Sequence, residues 1–283
     1  MSRRGDKSPK PDPAQHEMTL TEHLAELRMR IIRSGLAIMV GGVVVMAMYD
    51  HVLSWMLQPY ADLCDRKPAD FCGRSLDPDT GKVVLFNLDP IEGLTTRLKV
   101  SFYGGLVLAL PVVLWQVWRF IVPALHKTER RYAVGFVLSS VFLFLFGCVV
   151  AFFTLGPALE FMISWAGQDV DPAFQVQAYI RLVGLMCLAF GVGFIIPVLL
   201  VFLELIRVIT PQQLLRAWRY ALVIIFFVSA VITPSGDPIS LIALAIPLTF
   251  LYFVAILVGW IFQRARRKRE SKAENEAENE VEP

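Results

Sequence analysis

Two carboxylates stand where they could do chemistry. Glu26 lies in Glu22-His23-Leu24-Ala25-Glu26-Leu27-Arg28, just ahead of the first apolar run of the chain. Glu129 lies in Phe120-Ile121-Val122-Pro123-Ala124-Leu125-His126-Lys127-Thr128-Glu129-Arg130-Arg131, a short polar break between two long apolar runs. The two oxygens of a carboxylate match the planar donor fork of a guanidinium, which does not lose its proton. At a membrane edge water screens such a pair only in part, so it gains more than the ~0–1 kcal/mol of an open-surface pair. Two acids facing one membrane surface would read two arginines on a partner chain, and lysine would keep the charge but lose the fork. The alternatives are local: Glu26 pairs with Arg30 at i,i+4, and Glu129 offsets the charge of Arg130 and Arg131.

The elements that must position these acids are membrane helices. Of the 283 residues 55% are hydrophobic and 18% charged, against about 25% charged in a soluble domain. The formal net charge of +2 is too small to imply a nucleic-acid partner. Residues 1–17, with Pro9, Pro11 and Pro13 among charges, read as a disordered tail. Thr19-Leu20-Thr21-Glu22 matches a capping box, and Leu20, Leu24, Leu27 and Ile31 then fall on one helical face. This helix is expected to lie on the membrane surface before turning in.

Residues 18–263 are read as one membrane domain with six spans: 31–49, 100–122, 132–155, 179–206, 217–232 and 239–262. The loop 50–98 is long and polar, with short amphipathic helices expected in it, such as one over 51–57, and 156–178 reads as a connection. Pro111 is expected to kink the second span. The fifth run, of about 16 residues, makes roughly 24 Å of helix against a hydrocarbon core of about 30 Å. Thr210-Pro211-Gln212-Gln213 is a second capping box, and Thr233-Pro234-Ser235-Gly236-Asp237-Pro238 a tight turn. Arginine and lysine gather at the amino end, in the loops holding Lys127 and Arg207, and beyond Arg264, while the two short alternate loops hold none. Both termini are therefore expected in the cytoplasm. Residues 264–283 read as a charged, disordered tail.

No phosphate-binding glycine loop, His-Glu-x-x-His or Ser/His/Asp set occurs in a suitable context, so neither enzyme nor metal or cofactor site is expected. An ion-coupled small-solute carrier is the alternative function, but it would hold ionisable groups deep in its spans, and here Arg181, Glu204 and Arg207 fall near span ends. Cys148 and Cys187 read as buried thiols within spans. Cys64 and Cys72 lie close together in the loop placed outside the cytoplasm, where a disulfide is permitted and free thiols are the alternative.

Four blocks resemble the TatC family of the twin-arginine protein translocase. They are His23-Leu24-x-Glu26-Leu27-Arg28; Pro111-x-x-x-x-Gln116-x-Trp118-x-Phe120-x-x-Pro123-x-Leu125-x-x-x-Glu129-Arg130-Arg131; Phe190-Gly191-Val192-x-Phe194-x-x-Pro197; and Thr233-Pro234-x-x-Asp237. The resemblance runs from about Thr19 to Phe262. It implies an all-α, six-helix, concave, glove-like protein of the bacterial cytoplasmic membrane. Such a protein is the receptor for signal peptides with consecutive arginines, and passes folded proteins outward with TatA-type and TatB-type partners in an oligomeric complex powered by the proton-motive force. By the same resemblance Glu26 and Glu129 match the signal-binding acids, with Leu24, Phe120 and Arg131 beside them. Pro59, Pro197 and Asp237 match structural or partner-contact positions. One departure is clear: the family usually carries a glutamate in the fourth span where this chain has Ile195.

Overall fold

The computed structural model describes residues 20–66, 86, 88–121, 133–165 and 175–281. They form α1 (Leu20–Ala47), α2 (Tyr49–Arg66), α3 (Glu92–Ile121), α4 (Ala133–Ser164), α5 (Val176–Leu205), α6 (Pro211–Arg216), α7 (Trp218–Ile232) and α8 (Pro238–Val281). Among the described residues no strand occurs, only an isolated bridge between Phe86 and Gln175. Five helices are long and apolar enough to cross a membrane, and α7, of 15 residues, is the shorter sixth span. An all-helical solution is what lipid demands, because each backbone N–H and C=O must be paired within the segment.

Several elements run further than their sequences suggested. The surface helix and the first span form one continuous α1 of 28 residues, with no turn between them. Residues 28–34 hold no glycine or proline to break the i→i+4 ladder, so charge alone did not end the helix. Helix α2 spans 18 residues rather than the short piece expected, because Met56, Pro59, Tyr60, Leu63 and Cys64 give it a buried face. Helix α4 passes Gly156 and Pro157 into the stretch read as a connection, where Ala158, Leu159 and Ile163 bury against the core. Helix α8 continues to Val281 through residues read as an unstructured tail. That tail is rich in alanine, glutamate, lysine and arginine, all strong helix formers.

Packing follows chain order. Helix α1 lies mainly on α3, α4 on α5, and α5 and α7 on α8. One apolar cluster joins Tyr60, Leu155, Leu159, Tyr179, Phe190 and Phe194. A second joins Leu114, Trp118, Val137, Phe144, Val198 and Phe202 nearer the opposite end. Trp118 meets Phe202 edge to face at 4.7 Å between ring centroids, a geometry that aromatic quadrupoles favour. The α1/α3 seam depends instead on missing side chains. A Cβ on Gly41 would sit 2.7 Å from the Gly105 carbonyl oxygen, and one on Gly105 would sit 2.5 Å from the Gly42 nitrogen. Lipid tails are as apolar as leucine, so such close backbone approach supplies the dispersion contacts that hold membrane helices together.

The helix ends are stitched locally. Thr210 accepts from the Gln213 backbone N–H at 3.3 Å and the Gln213 side chain accepts from the Thr210 N–H at 2.9 Å, the expected capping box. Asp237 is the N-cap of α8: its Oδ1 accepts from the Ser240 N–H at 2.7 Å, with Pro238 in the first turn. At the C-terminus of α5, Val208 N–H returns to the Leu203 carbonyl at 3.0 Å and Arg207 N–H to that of Glu204 at 3.1 Å. This Schellman closure places Arg207 at φ 62, the left-handed position glycine usually fills. The first capping box falls on Thr19, outside the described residues.

The seam makes a direct prediction. Gly105→Ala must push α1 from α3 and is expected to cost about 1–3 kcal/mol by overpacking. Gly135→Ala, where a Cβ meets nothing within 4 Å among the described residues, is expected to leave stability unchanged or slightly raised. Thermal unfolding of both variants in detergent checks this; equal midpoints would remove the seam argument.

Candidate functional site

Glu26 and Arg30 are one turn apart on α1, and their side chains meet: an Arg30 Nη2 donates to Glu26 Oε1. Arg30 is only 8% exposed because it also crosses to α3, where Nη1 donates to the Gln116 carbonyl at 3.3 Å. The local alternative for Glu26 is thus realised in the structure. It is realised only by half: Glu26 Oε2 is buried without a hydrogen-bond partner among the described residues, and so is Arg30 Nε. A buried carboxylate oxygen without a donor costs desolvation free energy that a bound donor would recover. Around the pair lies a cleft of about 360 Å³ walled by Ala25, Glu26, Met29, Arg30, Arg33 and Arg119.

Leu24 is 63% exposed on α1, and Phe120 is half-buried at the end of α3, next in sequence to the cleft residue Arg119. Glu129 and Arg131 lie outside the described residues. Pro59 is buried in α2 and Pro197 in α5. Asp237, 3% exposed, shapes the entry to α8 through its N-cap bond. Cys64 is 1% exposed and disulfide-bonded, while Cys72, its expected partner, lies outside the described residues. Cys148 and Cys187 are free, with the Cys148 thiol donating to the Cys187 carbonyl at 3.4 Å.

Sequence reasoning passed over three groups. Arg30 was placed as a partner of Glu26 but not as a bridge to α3, since i,i+4 spacing carries no tertiary information. Glu204 was seen only as a late charge; it is 9% exposed, with both oxygens unpartnered among the described residues, and lodged where a Cβ on Gly259 of α8 would collide with it. Glu92 was not singled out at all. It is 2% exposed and its carboxylate accepts from the Leu88 N–H at 2.8 Å and the Gln177 N–H at 3.1 Å. Gln177 sits in the first turn of α5, whose own N-cap residue Gln175 makes no side-chain cap. Glu92 therefore caps α5 from α3, where a negative charge also suits the positive end of the helix dipole. An acid directly after the Asp89-Pro90 turn was the available signal.

A polytopic helical membrane protein with a carboxylate and guanidinium cleft at one end is a binding or transport protein in outline. The comparisons make that specific. The family model described as "Sec-independent protein translocase protein (TatC)" matches residues 22–247. The protein of that name from Frankia casuarinae is 36% identical over 256 residues, covering 89% of this chain and 68% of the relative. Its namesake from Aquifex aeolicus is 34% identical over 254 residues, covering 89% and 98%. A solved structure titled "Crystal Structure of Twin Arginine Translocase Receptor- TatC" superposes with a TM-score of 0.65 at 33% identity, covering 85% of this chain and 99% of that one. The chain belongs to the TatC family, multi-pass proteins of the bacterial membrane that are translocase components and not enzymes.

The Glu92 latch yields the prediction here. Glu92→Ala leaves two N–H groups without their acceptor, at about 1–3 kcal/mol for each if it stays buried. Amide hydrogen exchange is expected to quicken at Leu88 and Gln177 while α1 is unaffected. Unchanged protection at both amides would show that the latch holds nothing.

Proposed function

We propose that this chain is the receptor core of a twin-arginine translocase. It lies in the bacterial cytoplasmic membrane with both termini inside, and binds signal peptides bearing consecutive arginines. With single-span TatA-type and TatB-type partners in an oligomeric complex it moves folded proteins outward, powered by the proton-motive force. Family membership supports this role, as does the gathering of arginine and lysine at the two chain ends and in two loops for the orientation. The observation that carries the site is Glu26: one oxygen buried and without a partner among the described residues, the other held by an internal arginine.

That arrangement suits exchange. An incoming guanidinium donates to the open Oε2, and Arg30 keeps Oε1 or gives it up. Glu129 supplies the second carboxylate, with Arg131 setting its local charge, while Phe120 and Leu24 offer apolar surface to the peptide beyond its arginines. Two acids on separate segments confer selectivity for arginine over lysine, because only the guanidinium fork engages both oxygens. The Cys64 to Cys72 pairing belongs to the same proposal and would staple the loop after α2.

Removing one partner of a desolvated charge pair costs about 2–5 kcal/mol, or roughly 30-fold or more in affinity. Glu26→Gln and Glu129→Gln are each expected to weaken crosslinking of a twin-arginine signal peptide by at least about tenfold while the protein still inserts. A twin-lysine peptide should crosslink weakly to the unaltered chain. Undiminished crosslinking in both variants would falsify the receptor assignment.

A further inference from the structure

The cleft beside Glu26 holds more positive charge than Glu26 can answer. Three guanidiniums, those of Arg30, Arg33 and Arg119, face one carboxylate in its walls. Arg30 and Glu26 cancel one another. Arg33 on α1 and Arg119 on α3 remain, both exposed, with no hydrogen bond or ion pair among the described residues. The Nε of the nine-tenths-buried Arg30 is also without a partner in the same wall. Like charges brought together across a helix seam at a membrane edge, where screening is incomplete, raise the free energy of the fold unless an anion sits between them.

The position of the cleft selects the anion. It lies at the first turns of one apolar span, Leu24–Ala47, and the last turn of another, Glu92–Phe120, which is headgroup depth. Below it on α1, Met29, Ile32 and Leu36 are 49%, 52% and 56% exposed. Their i, i+3, i+7 spacing makes one continuous apolar track leading away from the arginines. A phosphate diester presents several acceptor oxygens to the guanidinium forks, and an acyl chain fits such a track. A soluble anion would leave the track unused.

We propose that this cleft is a headgroup site for an anionic phospholipid, with its phosphate between Arg33 and Arg119 and an acyl chain along Met29, Ile32 and Leu36. The site stands whether or not Glu26 reads an arginine, since it uses neither Glu26 nor Glu129 as a ligand. An occupied site offsets the two charges beside Glu26 that no described acid answers.

Native mass spectrometry of the full chain, incubated in mild nonionic detergent with equal phosphatidylglycerol and phosphatidylcholine, tests the assignment. Phosphatidylglycerol is expected to be retained preferentially. The double variant Arg33→Gln/Arg119→Gln is expected to lose roughly tenfold or more of that retention, from about one favourable contact per arginine. The control Arg216→Gln/Arg264→Gln removes equal charge from exposed positions elsewhere and should lose less than about twofold. Should the glutamine pair fail to fold, Arg33→Lys/Arg119→Lys keeps the charge, loses the fork and is expected to show a smaller loss in the same direction. Equal losses in test and control variants, or no preference between the two lipids, overturn the proposal. Release of the lipid by millimolar inorganic phosphate, with phosphate retained in its place, overturns it in favour of a soluble oxyanion.

Discussion

The close approach of α1 to α3 is the constraint on which the functional end depends. Gly41 meets Gly105 at backbone distance, and Arg30 meets the Gln116 carbonyl further along the same pair. Gly41 and Arg30 are eleven residues apart on α1, and Gly105 and Gln116 eleven apart on α3. At about 3.6 residues per turn that interval is close to three whole turns, so both contacts lie on one face of each helix. The helices run antiparallel, so one register satisfies both contacts. Displacing the glycine seam by a side chain would lengthen the Arg30 bridge as well, and Glu26 would lose the geometry that leaves one of its oxygens buried and open.

Arg30 gives the site its thermodynamic character. A lone carboxylate taken from water at a membrane edge costs several kcal/mol, and a fully paired one has nothing left to offer a ligand. The internal arginine resolves this by satisfying one oxygen and leaving the other. On the proposed reading, a second guanidinium would exchange or add a contact and would not build a desolvated pair from nothing. On the reading proposed above, selective recognition would need a second acid, the role given there to Glu129.

Apolar runs made most of the fold legible in the sequence. The six spans, the short α7, the Thr210 capping box and the turn ahead of Asp237 could all be read from hydropathy and capping chemistry, and the structure has them. What could not be read is tertiary. Nothing in the charges at residues 28–33 says that α1 continues as one helix, since a polar stretch without glycine or proline fits a turn or a helix equally well. Pro157 argues for a break, but three buried side chains in the next turn and a half override it. Glu92 carries no signal in the sequence beyond the turn before it, because its partner, the first turn of α5, is 85 residues away. At the site, Glu26 was legible from its motif, whereas the Arg33 and Arg119 cluster depends on a register that only the glycine seam fixes.

Ile195 and Glu204 show how this chain departs from the pattern its motifs suggest. Ile195 packs against the second apolar cluster beside Trp118, Phe144 and Phe202, so the carboxylate expected there is replaced by an apolar contact. Glu204 is nine residues further along α5, two and a half turns, which puts it on the opposite face. It points into the α5/α8 seam, where Gly259 makes room for it. Moving an acid from one face to the other cannot conserve an interaction with the same neighbour. A partner helix lying on the Ile195 face of α5 would therefore meet dispersion and shape but no carboxylate, and a polar residue in that partner would be left without its acceptor in hydrocarbon. Against the described residues, such a contact would draw its selectivity from steric fit, which small residues on the partner would satisfy and a buried hydrogen-bond donor would not.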